Sequence, residues 1–78
     1  MANMTKEINY VENMKQLGMN LKRARESTEL TQEKVGWAIG LNRSSLGYYE
    51  LGRTIPTIFT LIKLSKIYNV GLLDLVTI

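Results

Sequence analysis

The stretch LTQEKVGWAIGLNRSSLGYYELG, residues 30–52, decides the fold, because its apolar residues recur at the spacing of two short helices. Val35 and Ile39 lie four residues apart, which places both on one face of a first helix. Leu46 and Tyr49 lie three residues apart and do the same for a second helix. The stretch therefore predicts two amphipathic helices that bury one shared corner.

Capping residues set the ends of these two helices, which we predict at residues 32–39 and 43–51. Thr31 can cap the first N-terminus and Asn42 the second, since both side chains accept a hydrogen bond from a free backbone N–H group. Gly40 can adopt the positive φ that ends the first helix without a Cβ clash. Gly36 lies where the two axes cross, and a larger side chain there would push the helices apart.

The sequence on either side of this pair continues the helical pattern and shows no strand pattern. We predict a helix at residues 19–27 before the pair, and after it a fourth helix that Thr57 caps and a short fifth helix at residues 71–76. Together they form an all-α domain over residues 17–78. The residues expected to face inward on the fourth helix are Leu61, Leu64 and Tyr68, with Ile58 and Ile62 beside them.

Residues 1–16 form an N-terminal extension that carries Ile8, Val11 and Met14 at helical spacing. This spacing predicts one or two extra helical turns leading into the helix at residues 19–27. Gly18 costs about 1 kcal/mol relative to Ala inside a helix. We therefore expect a break or bend near Gly18.

From Gly18 to Val76 the chain resembles the phage repressor and Cro-like (Xre-type) helix-turn-helix family. The resemblance implies a compact five-helix, lambda-repressor-like fold, whose second motif helix enters the major groove of duplex DNA. It covers about three quarters of the sequence at ordered positions. The matching residues are Leu21, Lys22, Arg25, Thr31, Gln32, Glu33, Gly36, Gly40, Leu41, Asn42, Glu50, Leu51, Gly52, Arg53, Pro56 and Thr57.

Composition limits the other classes of function. The 78 residues suffice for one small domain. The absence of Cys and His argues against disulfides, a zinc or haem site and the commonest general base, so we predict no cofactor, no metal and no enzyme. A net charge of +3 suits a nucleic-acid partner without proving one. No apolar run approaches the roughly 20 residues of a membrane span, and residues 1–7 lack a signal-peptide core, which predicts a cytoplasmic protein.

The outward face of the second motif helix carries the predicted base-reading residues. The guanidinium of Arg43 can bond O6 and N7 of guanine together, while the Ser44 hydroxyl can donate or accept. Tyr48 lies one turn beyond Ser44 and can contact a thymine methyl or a phosphate. The resemblance implies that Arg43, Ser44 and Tyr48 contact bases, and Asn42 completes the set. The alternative is an ordinary solvated helix face.

Phosphate contacts are predicted near the N-termini of the two motif helices, where unpaired N–H groups attract anions. The resemblance implies that Gln32 clamps the DNA backbone. The complete set is Thr31, Gln32, Lys34, Ser45 and Arg53. An ordinary solubilising charge remains the alternative for the lysine.

Three other positions receive a structural interpretation. The resemblance implies that Arg25 and Glu50 form an ion pair that ties the first helix to the end of the recognition helix. Trp37 stands where the family commonly has an exposed charge. An indole is unfavourable in water, so we expect it to pack against the N-terminal extension or a partner subunit, with a partly exposed residue of no special role as the alternative.

Gly47 also departs from the family, which usually has a polar residue there, and it costs the helix about 1 kcal/mol. Either it allows close approach to DNA, or tertiary packing tolerates it.

The number of base contacts needed to select one DNA site favours two copies of the chain. Two or three base contacts of about 1–3 kcal/mol each cannot select one site among about 10⁶ competitors. A two-fold dimer places two recognition helices about 34 Å apart on a palindrome. We expect its interface in the tail, residues 72–78, with help from the fourth helix or from Ile8, Tyr10 and Val11.

The sequence thus predicts a bacterial or phage-type transcriptional regulator, a homodimeric repressor that binds double-stranded DNA and needs no small-molecule ligand. The rival is an antitoxin-like interaction module that covers a protein partner and regulates its own operon. An exposed apolar tail that does not self-associate would favour the rival.

Overall fold

A computed structural model describes residues 9–78, and Ile8 lies outside the described residues. The fold consists of five helices in this part of the chain. They are α1 (Tyr10–Ser27), α2 (Gln32–Ile39), α3 (Arg43–Glu50), α4 (Ile58–Ile67) and α5 (Leu72–Val76). The all-α prediction is therefore confirmed, and α3 ends one residue before the predicted Leu51.

The core lies where all five helices meet. α1 packs on α3 and α5, α2 packs on α3 and α4, and α4 packs on α5. Burial of these apolar side chains is the main driving force that holds the short helices in place. Each helix contributes at least one buried residue, and the set is Leu21, Val35, Leu46, Leu61, Leu64, Tyr68 and Leu75.

Side-chain caps begin the helices of the motif and α4, as the sequence predicts. Thr31, Asn42 and Thr57 each accept a hydrogen bond from the backbone N–H three residues later, at 3.1, 2.7 and 3.2 Å. Gly40 ends α2 with φ 77°, the left-handed conformation that favours glycine. A Cβ on Gly36 would lie 2.6 Å from the carbonyl oxygen of Leu41, so the helices pack closely at the turn as predicted.

α1 is one continuous helix, and the predicted break near Gly18 is wrong. Gly18 is buried in the middle of the helix, where an added Cβ would lie 2.5 Å from the carbonyl oxygen of Glu50 and 2.6 Å from that of Tyr49. The residue is small because the end of α3 packs directly on it. Tertiary packing offsets its poor helix propensity, and the helix extends back to Tyr10.

The inward face of α4 is smaller than predicted. Leu61, Leu64 and Tyr68 are buried as expected and Ile62 is half-buried, but Ile58 is 53 % exposed. Ile58 is the first residue of the helix. None of the helices in residues 9–78 is long and apolar enough to cross a membrane.

Candidate nucleic-acid interface

The first two turns of α3 present the predicted base-reading side chains on one outward face. Arg43 and Ser44 are exposed, and Tyr48 is 45 % exposed. They line one shallow depression together with Gln32, Gly47 and Leu51. Leu46 on the opposite face is fully buried and anchors the helix. The structure therefore brings Arg43, Ser44 and Tyr48 together on a rigidly held surface.

Asn42 and Ser45 are engaged in the start of α3. The side-chain oxygen of Asn42 accepts the backbone N–H of Ser45 at 2.7 Å. Asn42 is exposed and Ser45 is half-buried. The cap fixes the direction in which the first turn, with Arg43 and Ser44, projects.

Gln32 connects the start of α2 to the end of α3. Its side-chain amide nitrogen donates to Oε1 of Glu50 at 2.9 Å. Its amide also lies over Gly47, where an added Cβ would be 3.6 Å from the Gln32 side-chain oxygen, an ordinary van der Waals distance. The contact with Glu50 holds Gln32 in one orientation beside the depression on α3.

Arg25 and Glu50 form a bidentate ion pair between α1 and α3. Nε and Nη2 of Arg25 donate to the two carboxylate oxygens of Glu50 at 2.7 and 3.0 Å, and Nη1 donates to the carbonyl of Leu30 at 2.9 Å. The hydrogen bond to Glu50 raises the pKa of Arg25 above its ordinary value. The side chains are 13 % and 3 % exposed, so this pair is part of the interior.

The two remaining cations predicted to touch phosphates lie in different places. The Arg53 guanidinium carbon is 6.0 Å from the centroid of the Tyr48 ring, which puts Arg53 at the edge of the α3 surface. Lys34 lies in another groove, beside Trp37. Thr31 caps α2 through its side-chain oxygen and lines a depression between the two motif helices that also includes Gln32 and Arg43.

Trp37 is 87 % exposed, and the expectation that the N-terminal extension covers it is wrong for the described residues 9–16. The start of α1 instead lines a groove with Ile55 and Ile78 through Tyr10 and Met14. That groove does not include Trp37, whose own groove contains Leu30, Ala38 and Ile67. Burial of the indole by a partner subunit stays a prediction.

Sequence reasoning missed the link between the buried ion pair and the outer surface. Glu50 accepts hydrogen bonds from both Arg25 and Gln32, so the interior of the fold and the predicted phosphate clamp share one carboxylate. Gln32 and Glu50 are 18 residues apart, and no periodicity pairs them. Within residues 9–78 no group of three His, Cys, Asp or Glu side chains is arranged to hold a metal ion.

Comparison with known proteins gives the same motif over most of the chain. A family model described as helix-turn-helix matches residues 21–75, from the middle of α1 into α5. The chain belongs to this Xre-type helix-turn-helix family. The resemblance drawn from the capping residues and the glycine turn is thereby confirmed.

Two relatives of this family come from Bacillus subtilis (strain 168). An uncharacterized HTH-type transcriptional regulator derived from the SPbeta prophage, YonR, is 38 % identical over 54 residues, which is 69 % of this chain and 50 % of YonR. A second uncharacterized HTH-type transcriptional regulator, YqaE, is 40 % identical over 53 residues, 68 % of this chain and 46 % of YqaE. The chain matches about half the length of each relative.

A solved structure shares the architecture. The restriction-modification controller protein C.AhdI from Aeromonas hydrophila superposes with a TM-score of 0.80, covering 87 % of this chain and 99 % of that one. The identity is 24 %, so the likeness supports the fold. The described helices therefore share the fold of that controller protein.

Proposed function

We propose that the chain is a sequence-specific DNA-binding transcriptional regulator that reads the major groove with the outer face of α3. The observation that carries the proposal is the arrangement of Arg43, Ser44 and Tyr48, which project from an anchored helix beside Gln32. A helix of this size fits the major groove when its N-terminal residues point outward. Arg43 reads guanine, Ser44 supplies an adaptable hydrogen bond, and Asn42 flanks them.

Phosphate groups on either side of the reading helix complete the contact. The side-chain amide of Gln32 has two N–H groups. One donates a hydrogen bond to Glu50, and the other donates to a phosphate. Arg53 extends past Tyr48 to a second phosphate, and the N-terminal N–H groups near Thr31 and Ser45 favour the same anions. Lys34 lies farther around α2 and adds long-range attraction.

The working unit is a homodimer that represses transcription at a palindromic operator in the cytoplasm of a bacterium. One α3 offers too few base contacts to select a single site in a genome. An isologous pair doubles these contacts without a new surface. The exposed apolar side chains described below supply a place for the pairing.

The second candidate function is an antitoxin-like module that covers a protein partner. The groove beside Trp37 favours it, because the indole, 87 % exposed, borders an apolar groove with Leu30, Ala38 and Ile67 that a protein partner would fill. Self-association of the chain separates the two candidates. A chain that remains a monomer and binds DNA without selectivity would favour the protein partner.

The proposal is tested at single residues by selecting bound duplexes from a random pool and comparing the base preferences of variants with those of the parent chain. Arg43→Ala is expected to weaken binding to the selected duplex by about 1–3 kcal/mol and to relax one base position. The control Arg53→Ala removes the same charge but is expected to weaken all duplexes alike and to lower the salt slope by about 1. An Arg43→Ala chain that keeps every base preference of its parent would remove Arg43 from the reading set.

A further inference from the structure

An uncharged apolar groove lies beside the C-terminal end of the recognition helix. Its walls are the first two turns of α1, the loop before α4 and the end of the chain. The lining residues are Tyr10, Asn13, Met14, Leu17, Ile55, Val76 and Ile78. None of their side chains carries a charge, which is the composition of the centre of a protein interface and not of a surface that attracts DNA.

Hydrogen bonds to Asn20 hold the tail wall of this groove in place. The side-chain amide nitrogen of Asn20 on α1 donates to the carbonyl oxygens of Leu75 at 3.0 Å and Thr77 at 2.9 Å. Gln16, one turn earlier, donates to the side-chain oxygen of Asn20 at 3.0 Å. The tail is thus fixed against α1 and the groove exists before any partner binds, which lowers the entropic cost of filling it.

The groove has the size of one aromatic ring. Its volume is about 180 Å³, and an apolar cavity of about 150 Å³ accepts a benzene molecule. Phe59 is 73 % exposed on the second residue of α4, two positions from the buried Leu61 and therefore on the opposite side of that helix. The chain thus carries both an apolar groove and a projecting aromatic ring that its own fold leaves outside.

We propose that a second copy of this chain docks here about a two-fold axis, with Phe59 of each copy seated in the groove between α1 and the tail of the other. This inference rests on the proposed function, because it names the surface through which the regulator dimerises. In an isologous interface each copy gives and receives the same contact, so one groove and one ring per chain form a closed pair. No groove or ring is then left free to bind a further copy.

The exposed apolar area is sufficient for such a pair. Six side chains around Phe59 and the groove are each more than half exposed: Tyr10, Val11, Ile55, Ile58, Phe59 and Ile78. Together they offer on the order of 700 Å² per chain, close to the roughly 800 Å² per partner of a stable interface. Single exposed apolar residues are ordinary, but six of them on the start of α1, the loop before α4, the start of α4 and the tail favour a binding surface.

The position of the groove suits the reading of DNA. The end of α3 packs against the same part of α1: a Cβ on Gly52 would lie 2.9 Å from the Cα of Lys15. A two-fold axis beside the groove therefore lies closer to the C-terminal end of each α3 than to the end that carries Arg43, and Arg43 stays clear of the interface. Trp37 lines a different groove and lies outside the proposed pair, so this dimer does not bury the indole as the sequence predicted.

Sedimentation velocity of the full chain tests the surface with a charge-matched control. We expect a dimer that Phe59→Glu weakens at least about 30-fold, as loss of a buried aromatic anchor does. Trp37→Glu introduces the same charge at another exposed aromatic residue and is expected to leave self-association unchanged. A wild-type chain that stays monomeric, or a dimer that Trp37→Glu dissociates and Phe59→Glu does not, would overturn the proposal.

Cross-linking tests the contact itself without removing Phe59. The chain has no Cys, so single cysteines can be placed at Lys63, one turn beyond Phe59, and at Asn13 in the groove. A short thiol-to-thiol linker is expected to join Lys63→Cys chains to Asn13→Cys chains in a mixture. Glu33→Cys in place of Lys63→Cys is the control and is expected to give no product. The reverse result would contradict the proposed contact.

DNA binding by the same samples separates the two proposals. Selective binding by a chain that is monomeric in solution and on DNA would refute this surface and leave the DNA-reading face of α3 intact. A dimer that depends on Phe59 but binds all duplexes equally would refute the proposed function and leave the surface intact.

Discussion

At the scale of the residue, Gly47 lowers the stability of α3, although the packing around it leaves room for a larger side chain. A Cβ there would touch only the Gln32 side chain, at 3.6 Å or more, which is ordinary packing. Gly18 is also helical, but its Cβ would meet backbone oxygens at 2.5 and 2.6 Å. The two glycines have the same low helix propensity, but Gly47 has room for a Cβ and Gly18 does not. Replacing each with alanine therefore separates the effect of helix propensity from that of packing.

We predict that Gly47→Ala raises the free energy of unfolding by about 1 kcal/mol, because alanine restores helix propensity without a clash. Gly18→Ala, the matched control, should lower it, since α3 must move away from α1. Urea unfolding of both variants checks the pair. A Gly47→Ala chain that is less stable than its parent would contradict this account of α3.

The same Gly47→Ala chain tests whether DNA needs the glycine. Loss of DNA affinity in a more stable protein would show that the backbone of α3 approaches the duplex closely at this position. Unchanged affinity would show that packing alone tolerates Gly47.

The buried phenol of Tyr68 makes the stability of the fold depend on pH in the alkaline range. It is 2 % exposed, and its hydroxyl has no hydrogen-bond partner within residues 9–78. Burial raises the pKa of the Tyr68 phenol above the ordinary 10.0, and the negative charge of Glu50 adds to the shift. A phenol whose pKa is higher in the folded than in the unfolded protein contributes its full stability at pH values below the unfolded-state pKa. This contribution is lost as the pH rises above the unfolded-state pKa. Stability should therefore fall above about pH 10.

We predict that Tyr68→Phe weakens this alkaline decline and leaves stability at pH 7 unchanged or higher, because a buried unpaired hydroxyl is removed. Urea unfolding at pH 7 and between about pH 10 and 11 checks it. Tyr10→Phe, at a position that is 68 % exposed, is the control and should keep the decline. An equally steep decline in Tyr68→Phe would refute the assignment.

At the scale of the element, the ion pair between α1 and α3 should behave as one unit. Glu50→Ala strands the Arg25 guanidinium, which is 13 % exposed, and is expected to cost about 3–5 kcal/mol. Removing Arg25 as well should cost less than the sum of the two single changes, because no unpaired charge remains. A double-mutant cycle in urea measures this, and strictly additive losses would contradict the pairing.

The elements also show what the sequence could predict and why. The limits of α2 and the start of α3 and α4 follow from Thr31, Asn42 and Thr57, whose capping is local chemistry that a sequence displays. The continuity of α1 could not be predicted in this way. Gly18 has poor helix propensity, and only the packing on it of Tyr49 and Glu50 in α3, 31 and 32 residues later in the chain, explains its place in a helix.

The candidate site divides in the same manner. Arg43, Ser44 and Tyr48 share a face because helical periodicity fixes their directions, and the sequence alone predicted that face. The hydrogen bond between Gln32 and Glu50, and the exposure of Trp37, depend on how separate helices meet. Tertiary contacts of this kind leave no periodic signal in the sequence.

At the scale of the whole molecule, we propose two separate functional surfaces: the outer face of α3 for DNA, and the groove between α1 and the tail for a second copy. The central claim is that α3 reads a specific duplex. Fluorescence anisotropy tests it most directly, with labelled DNA from upstream of the chain's own gene against scrambled DNA across a salt series.

We predict binding at least about 10³-fold tighter to the specific duplex, saturating at two chains per site, with a preference that persists as salt rises. Weak binding, equal for both duplexes and lost with added salt, would mean that only general attraction to phosphate remains, and it would contradict the claim.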